Sequence, residues 1–208
     1  MNIVLLGAPA SGKGTQAKKI AQKFNLLHIS TGQLLRDIIK QKNHLSKEIE
    51  RYVQTGKLVP DKLIIEVLKD YLAKNDTNNG ILFDGFPRTL NQAQELSKLL
   101  IIDYCFEIDI TLDSVLERVF NRWFCSNCGK NYIMKNHNSE FCTCGSKLIK
   151  RADDTKETAT IRYNDYLQIK NNIVDFYKKS NTFYRIDGEL SINDTFDQIC
   201  KIIKVWYT

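Results

Sequence analysis

Asn2-Ile3-Val4-Leu5-Leu6-Gly7-Ala8-Pro9-Ala10-Ser11-Gly12-Lys13-Gly14-Thr15 governs how the rest of this 208-residue chain is read. A short apolar run feeds a turn of small residues. The turn opens into a segment of helical pattern rich in Lys, Gln, Ala and Ile. Backbone N–H groups converging on such a turn, the positive end of the helix and the charge of Lys13 together make a place for phosphate. Gly7, Gly12 and Lys13 satisfy the spacing Gly-x4-Gly-Lys. Gly14 follows Lys13, and the hydroxyl comes one position late, on Thr15. A Mg²⁺ ion travelling with the phosphates is therefore expected to be held by phosphate oxygens and water rather than by the loop. The segment Ala10-Ser11-Gly12-Lys13-Gly14-Thr15 is the candidate donor-phosphate site.

Outward from this loop, short apolar runs alternate with longer amphipathic ones. Strands are expected at Asn2–Leu6, Leu27–Ile29, Ile81–Phe83, Tyr104–Ile108 and Phe183–Ile186. Helices are expected at Lys13–Phe24, Gln33–Lys40, Ser46–Gln54, Asp61–Lys74, Leu90–Leu99, Leu112–Asn121, Lys156–Lys178 and Ile192–Val205. In the fourth helix Leu63, Ile64, Val67, Leu68, Tyr71 and Leu72 recur at helical spacing, and Pro60 precedes it as helix starts permit. Such alternation implies an α/β fold: a doubly wound, five-stranded parallel sheet with helices on both faces. Ligands collect beyond the carboxyl ends of such strands. Gly7, Ser30 and Asp84 each follow a strand and so share one edge. Two segments interrupt the alternation. Residues 30–59 read as a helical insert and 121–154 as a second small subdomain, leaving 1–29, 60–120 and 155–208 as the core.

The composition fits one medium-sized globular unit, with 43% hydrophobic and 26% charged residues. No apolar run has the length of a membrane span. The chain opens directly on a core strand, with no basic n-region or apolar h-region, so a cytoplasmic location is expected. The net charge of +6 favours anionic ligands without naming one. Of the 30 cations, 22 are Lys, so Lys is the default solubilising cation here. The eight arginines then become informative, because only Arg offers a planar two-point fork. They are Arg36, Arg51, Arg88, Arg118, Arg122, Arg151, Arg162 and Arg185.

A second string, Asp84-Gly85-Phe86-Pro87-Arg88-Thr89, follows the third strand. Its carboxylate can orient water on Mg²⁺, and Arg88 can clamp a second phosphate. Alone, Asp-Gly is a turn and Arg88 a surface cation. The strings Gly-Ala-Pro-x-x-Gly-Lys-Gly-Thr, Ile29-Ser30-Thr31-Gly32, Gly56-Lys57-Leu58-Val59 and Asp84–Thr89 occur in order along nearly the whole chain. On them the sequence resembles the adenylate kinases of the nucleoside monophosphate kinase group.

The resemblance implies a P-loop phosphotransferase running ATP + AMP ⇌ 2 ADP with Mg²⁺ in adenine nucleotide homeostasis. It implies an AMP pocket from Thr31, Arg36, Lys57, Leu58, Val59, Gly85, Phe86, Pro87, Arg88 and Gln92. It places Arg118, Arg122, Arg151 and Arg162 as phosphate clamps, with Arg151 and Arg162 also reaching AMP and Asp84 beside the metal. Asn131, Tyr132 and the Leu190 carbonyl would contact ATP, although Tyr132 can equally pack inside its own subdomain. Arg118 and Arg122, four apart, are expected on one helix face. Arg51 and Arg185 receive no role. Ala10 stands where the family commonly has Gly, Gln33 where many members have Asp, and Trp123 where an Arg is frequent.

Cys125-x2-Cys128 is followed after thirteen residues by Cys142-x-Cys144. Four thiolates suit a structural Zn²⁺ site, which would stand in for the core that a segment of this size cannot build. The second pair is one residue short, and His137 or Glu140 could replace Cys142. Cys105 and Cys200 are expected to be buried, inert thiols. The expected partners are ATP, AMP and ADP, with no nucleic acid or membrane, and the chain is expected to be a monomer. The rival readings are a kinase for UMP or CMP and a zinc-ribbon nucleic-acid-binding ATPase. The second lacks a basic-aromatic stripe in the lid segment.

Overall fold

A computed structural model describes residues 1–42, 44–54, 58–134, 139–150 and 154–205. The elements run β1 (Ile3–Gly7), α1 (Lys13–Phe24), β2 (Leu27–Ser30), α2 (Thr31–Lys40), α3 (His44–Gln54), α4 (Asp61–Lys74), β3 (Ile81–Asp84), α5 (Leu90–Leu99) and β4 (Tyr104–Asp109). They continue with α6 (Leu112–Phe120), β5 (Arg122–Cys125), β6 (Asn131–Ile133), β7 (Leu148–Ile149), α7 (Lys156–Lys179), β8 (Phe183–Asp187) and α8 (Ile192–Val205). The main sheet has the order β2-β3-β1-β4-β8, and all its pairings are parallel. The doubly wound five-stranded sheet expected from the sequence is therefore present.

Alternation along β1 shows why helices cover both faces. Val4 and Leu6 join one cluster with Ile29, Phe83, Cys105, Leu68 and Val174. Ile3 and Leu5 join the opposite cluster with Ile20, Leu82, Phe106, Ile199 and Ile203. The first face is covered by α4, α5 and α7, and the second by α1 and α8. Each fully buried branched side chain contributes roughly 1.5–3 kcal/mol relative to exposure. A polar substitution at Val4 or Leu5 would therefore disturb the floor beneath the Gly7 turn.

The register fixes the functional edge. Leu5 lies beside Asp84, Ser30 beside Asp84, and Gly7 beside Ile108. The segments after β1, β2 and β3 thus leave the sheet at one carboxyl edge. Three helices at this edge start on a threonine cap. Thr89, Thr111 and Thr155 accept from the backbone N–H of Gln92, Ser114 and Thr158 at 3.1, 3.3 and 3.1 Å.

The structure departs from the sequence expectation at several element ends and in the segment after α6. Helix α2 begins at Thr31, two residues early, and α3 at His44. Helix α6 ends at Phe120, so Arg122 is not on the helix with Arg118 but opens β5. The segment after α6 contains a small antiparallel sheet, β6-β5-β7, which the sequence reading did not resolve. Its strands are two to four residues long, too short for a period-2 pattern to stand out.

Candidate active site

The loop after β1 is shaped by two backbone requirements. Gly7 sits at φ 151°, and a Cβ there would lie 2.6 Å from Ser11 Oγ and 2.7 Å from the Ile108 carbonyl. No side chain fits. Gly12 caps α1 from the left-handed region at φ 96°, where glycine carries no Cβ penalty. Ala10 also lies at positive φ, 59°, so this chain carries at that position a strain that glycine would relieve, on the order of 1 kcal/mol. Ser11 is buried, while Gly14 is half-buried and Thr15 exposed.

Lys13 turns back into this loop. Its Nζ donates to the Gly7 and Ala8 carbonyls at 2.8 and 2.7 Å and to Ser11 Oγ at 3.3 Å. Desolvation pushes its pKa down to about 8, with the positive charges of Arg88 and Arg122 acting the same way against the pull of Asp84. Arg88 is shifted down as well, first by desolvation and then by Arg162, again against Asp84. The structure thus gathers Lys13, Arg88, Arg122 and Arg162 into one field of mutual repulsion, which an anion would neutralise.

Asp84 closes β3 beside the first turn of α1: a Cβ on Gly14 would meet its Oδ2 at 3.4 Å. His28 of β2 approaches the same oxygen to 3.7 Å. A hard cation held by phosphates and water suits this carboxylate donor. Gly85 follows at φ 83°, where a Cβ would lie 2.9 Å from Thr31 Oγ1 and 3.2 Å from the Arg88 guanidinium. Arg88 Nε donates to the Gly85 carbonyl at 2.8 Å. Phe86 and Pro87 are buried and joined by a cis peptide bond.

Of the acceptor-side residues, Thr31 is buried and donates to the Asp84 carbonyl at 3.2 Å. Arg36 is exposed on α2 and donates to Gln33 Oε1 at 2.9 Å. Leu58 is exposed, and Val59 packs into the core. Gln92 is buried, donates to Asp61 Oδ1 at 2.7 Å and accepts from the Arg88 N–H at 2.7 Å. Its amide keeps a second N–H and a second lone pair. Asp61, at the start of α4, also accepts from Thr89 and Asn91 at 2.8 and 3.0 Å. It organises this corner, and sequence reading missed it because Asp at a helix start is common for capping alone. Lys57 and Arg151 lie outside the described residues, as does His137.

On the donor side, Arg118 bridges two loops. Its guanidinium donates to the Ser11 carbonyl at 3.3 Å and to the Gly188 carbonyl at 2.6 Å. Arg122 donates through Nε to Asp154 Oδ2 at 2.8 Å and through Nη2 to Asp154 Oδ1. Leu190 is exposed just beyond β8. Arg185, to which no role was given, pairs with the fully buried Glu107 at 3.1 Å, and Lys170 of α7 pairs with the same carboxylate at 3.0 Å. This group ties α7 to the sheet.

The four lid cysteines converge, with ligand atoms all within 4.8 Å of one another. The Sγ pairs Cys125–Cys144 and Cys128–Cys142 are each 3.4 Å apart. That is too long for a disulfide and near the edge of roughly 3.8 Å in a tetrahedron of Zn–S bonds. The donor set fits zinc. Gly129 and Gly145, at φ 69° and 86°, permit the two knuckle turns. The short Cys142-x-Cys144 spacing therefore delivers both thiols, and Glu140 instead lies 3.9 Å from Lys147. The backbone N–H and hydroxyl of Ser146 hold the Cys144 thiol down to about 5, which favours the thiolate a metal needs. Tyr132 is buried with its hydroxyl 3.2 Å from Cys142 Sγ. Of its two expected surroundings, it takes the knuckle. Asn131 beside it is exposed.

A strand–loop–helix phosphate cradle, a second anion clamp on the adjacent strand and arginines arriving from later segments define a phosphotransferase of the P-loop nucleotide-binding class. Residues 5–182 match the family model described as Adenylate kinase. The chain is 41% identical to an adenylate kinase of Clostridium tetani over 98% of both proteins. It is 41% identical to one of Methanothrix thermoacetophila, again over 98% of each. To one of Thermosipho africanus it is 36% identical over 98% of this chain and all of the relative. The chain belongs to the adenylate kinase family, whose reaction is the reversible phosphoryl transfer ATP + AMP ⇌ 2 ADP.

Proposed function

We propose that this chain performs that transfer between a donor ATP on the Ala10–Thr15 loop and an acceptor AMP beside Arg88. The observation that carries the reading is the placement of Lys13, folded back into the Gly7–Gly12 turn, within electrostatic reach of Arg88 and Arg122, with Arg162 beside Arg88. Asp84 and Asp154 offset only part of this positive charge, and the excess is costly. Two phosphate chains meeting head to head relieve it.

The acceptor oxygen of AMP is already anionic, so no general base is required. Catalysis is in-line positioning with charge stabilisation. Lys13 leaves the Gly7 and Ala8 carbonyls for the donor phosphates. Arg88 holds the acceptor phosphate, and Arg122, Arg151 and Arg162 take up the charge that develops between them. Thr31, Arg36, Lys57–Val59, Gly85–Arg88 and Gln92 form the AMP side; Arg118, Arg122, Asn131 and Leu190 serve ATP. Asp84, through water, would hold Mg²⁺ brought in with the phosphates, and the ion would supply further neutralisation of the transferring group. Closure of 121–154 excludes water, which would otherwise compete as the acceptor.

Zinc at Cys125, Cys128, Cys142 and Cys144 is structural in this reading, because four thiolates leave no open position for substrate. Residues 30–59 are the AMP-binding subdomain and 121–154 the lid, beside a core of 1–29, 60–120 and 155–208. The enzyme works as a cytoplasmic monomer. No helix among the described residues is long and apolar enough to cross a membrane.

The test is ADP formation from ATP with AMP, UMP and CMP as acceptors, beside metal analysis of the purified protein. AMP-selective turnover and one zinc per chain are expected. Preference for a pyrimidine monophosphate overturns the acceptor assignment.

A further inference from the structure

Glu189 has no place among the nucleotide contacts above, yet its carboxylate ties together the parts that frame the ATP side. Oε1 accepts from the Thr111 backbone N–H at 2.8 Å and from Thr111 Oγ1 at 3.0 Å. Oε2 accepts from Ser114 Oγ at 2.5 Å and lies 3.9 Å from the Arg118 guanidinium. Glu189 therefore caps the first turn of α6 from another segment, adding a full negative charge where the helix is positive. Burial is the largest single influence and raises its carboxyl, but the Ser114 and Thr111 donors and Arg118 together outweigh it and hold the group below the usual carboxylate range. The loop is fastened from its other end too. Gly188 N–H donates to the Asp109 carbonyl at 2.9 Å, and Glu189 N–H to Asp187 Oδ1 at 2.9 Å. Arg118, one helical turn beyond Ser114, binds the Gly188 and Ser11 carbonyls.

We propose that Glu189 is a positioning residue for the donor nucleotide: it latches the 187–190 loop to the start of α6 and thereby sets the Leu190 carbonyl for the nucleoside end of ATP. The proposal rests on reading Leu190 as an ATP contact. Glu189 itself touches no substrate. A latch of this kind acts first on the nucleoside, because the phosphates are held chiefly by the Ala10–Thr15 loop, which Arg118 joins to residues 187–190 only through the longer bond to the Ser11 carbonyl at 3.3 Å. Glu189 is 40% exposed, so its replacement does not open the core.

The experiment compares wild type, Glu189→Ala and Glu189→Gln for direct binding of ATP and of inorganic tripolyphosphate, for KM of ATP and AMP, and for Tm. Glu189→Ala is expected to weaken ATP about tenfold, in Kd and KM alike, while tripolyphosphate and KM for AMP shift less than about twofold. Glu189→Gln keeps an acceptor for the Thr111 N–H and a hydrogen-bonding group for Ser114. It is expected to recover most of the ATP affinity. Unchanged ATP binding in Glu189→Ala overturns the proposal. So does equal weakening of ATP and tripolyphosphate, or a Glu189→Gln protein as impaired as Glu189→Ala. Failure of wild type to convert ATP and AMP to ADP would instead strike the catalytic reading, which these binding measurements do not need.

Discussion

Arg122 and Asp154 face each other side-on across the two ends of the lid segment, Nε on Oδ2 at 2.8 Å and Nη2 on the second oxygen. Asp154 is 3% exposed and Arg122 16%. The pair closes the base of the segment, and it engages one edge of a guanidinium that has five N–H donors in all. On the proposed reading, one residue thus anchors the lid and presents charge to the transferring phosphate. Arg122→Lys removes the two-point fork, and kcat is expected to fall about 100-fold. Asp154→Asn keeps the shape and loses the charge. Denaturant unfolding should show a loss of about 1–3 kcal/mol. Steady-state kinetics and a urea titration check both.

Lys13 gives a pH signature. Its amine must be protonated to hold phosphate, and in the unliganded protein it titrates at about 8. As pH rises through that value the competent fraction falls, so kcat/KM for ATP should drop above about pH 8, tenfold per unit. Bound phosphates oppose desolvation and raise the pKa, so kcat should stay level to higher pH. Nucleotide binding at pH 8.5 should take up a proton, visible as a buffer-dependent calorimetric enthalpy. A kcat/KM level up to pH 9.5 contradicts this assignment.

Asp61 lies outside the phosphate field yet fixes Thr89, Asn91 and Gln92. Asp61→Ala frees the Gln92 amide and loosens the first turn of α5. KM for AMP should rise about tenfold with little change in KM for ATP, since a lost charge-assisted hydrogen bond is worth about 1.5–3 kcal/mol. Equal changes in both constants would mean that Asp61 serves the fold alone.

Zinc removal should act on stability before it acts on rate. The cluster that buries Cys125, Tyr132, Cys142 and Leu148 is small, so zinc held there as proposed would supply much of the lid's form. Chelation is expected to lower Tm by about 5–10 °C and to lower kcat at 25 °C by a smaller proportion. Cys142→Ser should bind less zinc and reproduce the chelated Tm.

The sheet was legible in the sequence because its strands are apolar runs bounded by helices of clear period. Asp61–Lys74 and Leu90–Leu99 are found where their periodicity places them. Boundaries failed where a side chain works outside its own element. Arg122 continues the helical spacing from Arg118, but the pull of Asp154 and pairing with Ile133 turn its backbone into a strand. The motif residues of the site were legible as strings. Their supports, Asp61, Asp154 and Glu189, were not, because each acts through a partner distant in the chain, and a single carboxylate carries no local pattern.

The pairing of β1 with β3 sets Leu5 directly beside Asp84. The donor loop and the acceptor loop therefore grow from neighbouring strands, whose spacing is the roughly 4.8 Å of any hydrogen-bonded ladder. On the proposed reading, the span across which the phosphoryl group passes is thus set by the pairing of two sheet strands. Among the described residues, segments 30–59 and 121–154 contribute nothing to that sheet beyond Ser30 at the end of β2. A designer seeking a new acceptor specificity would rebuild those segments and leave the sheet untouched.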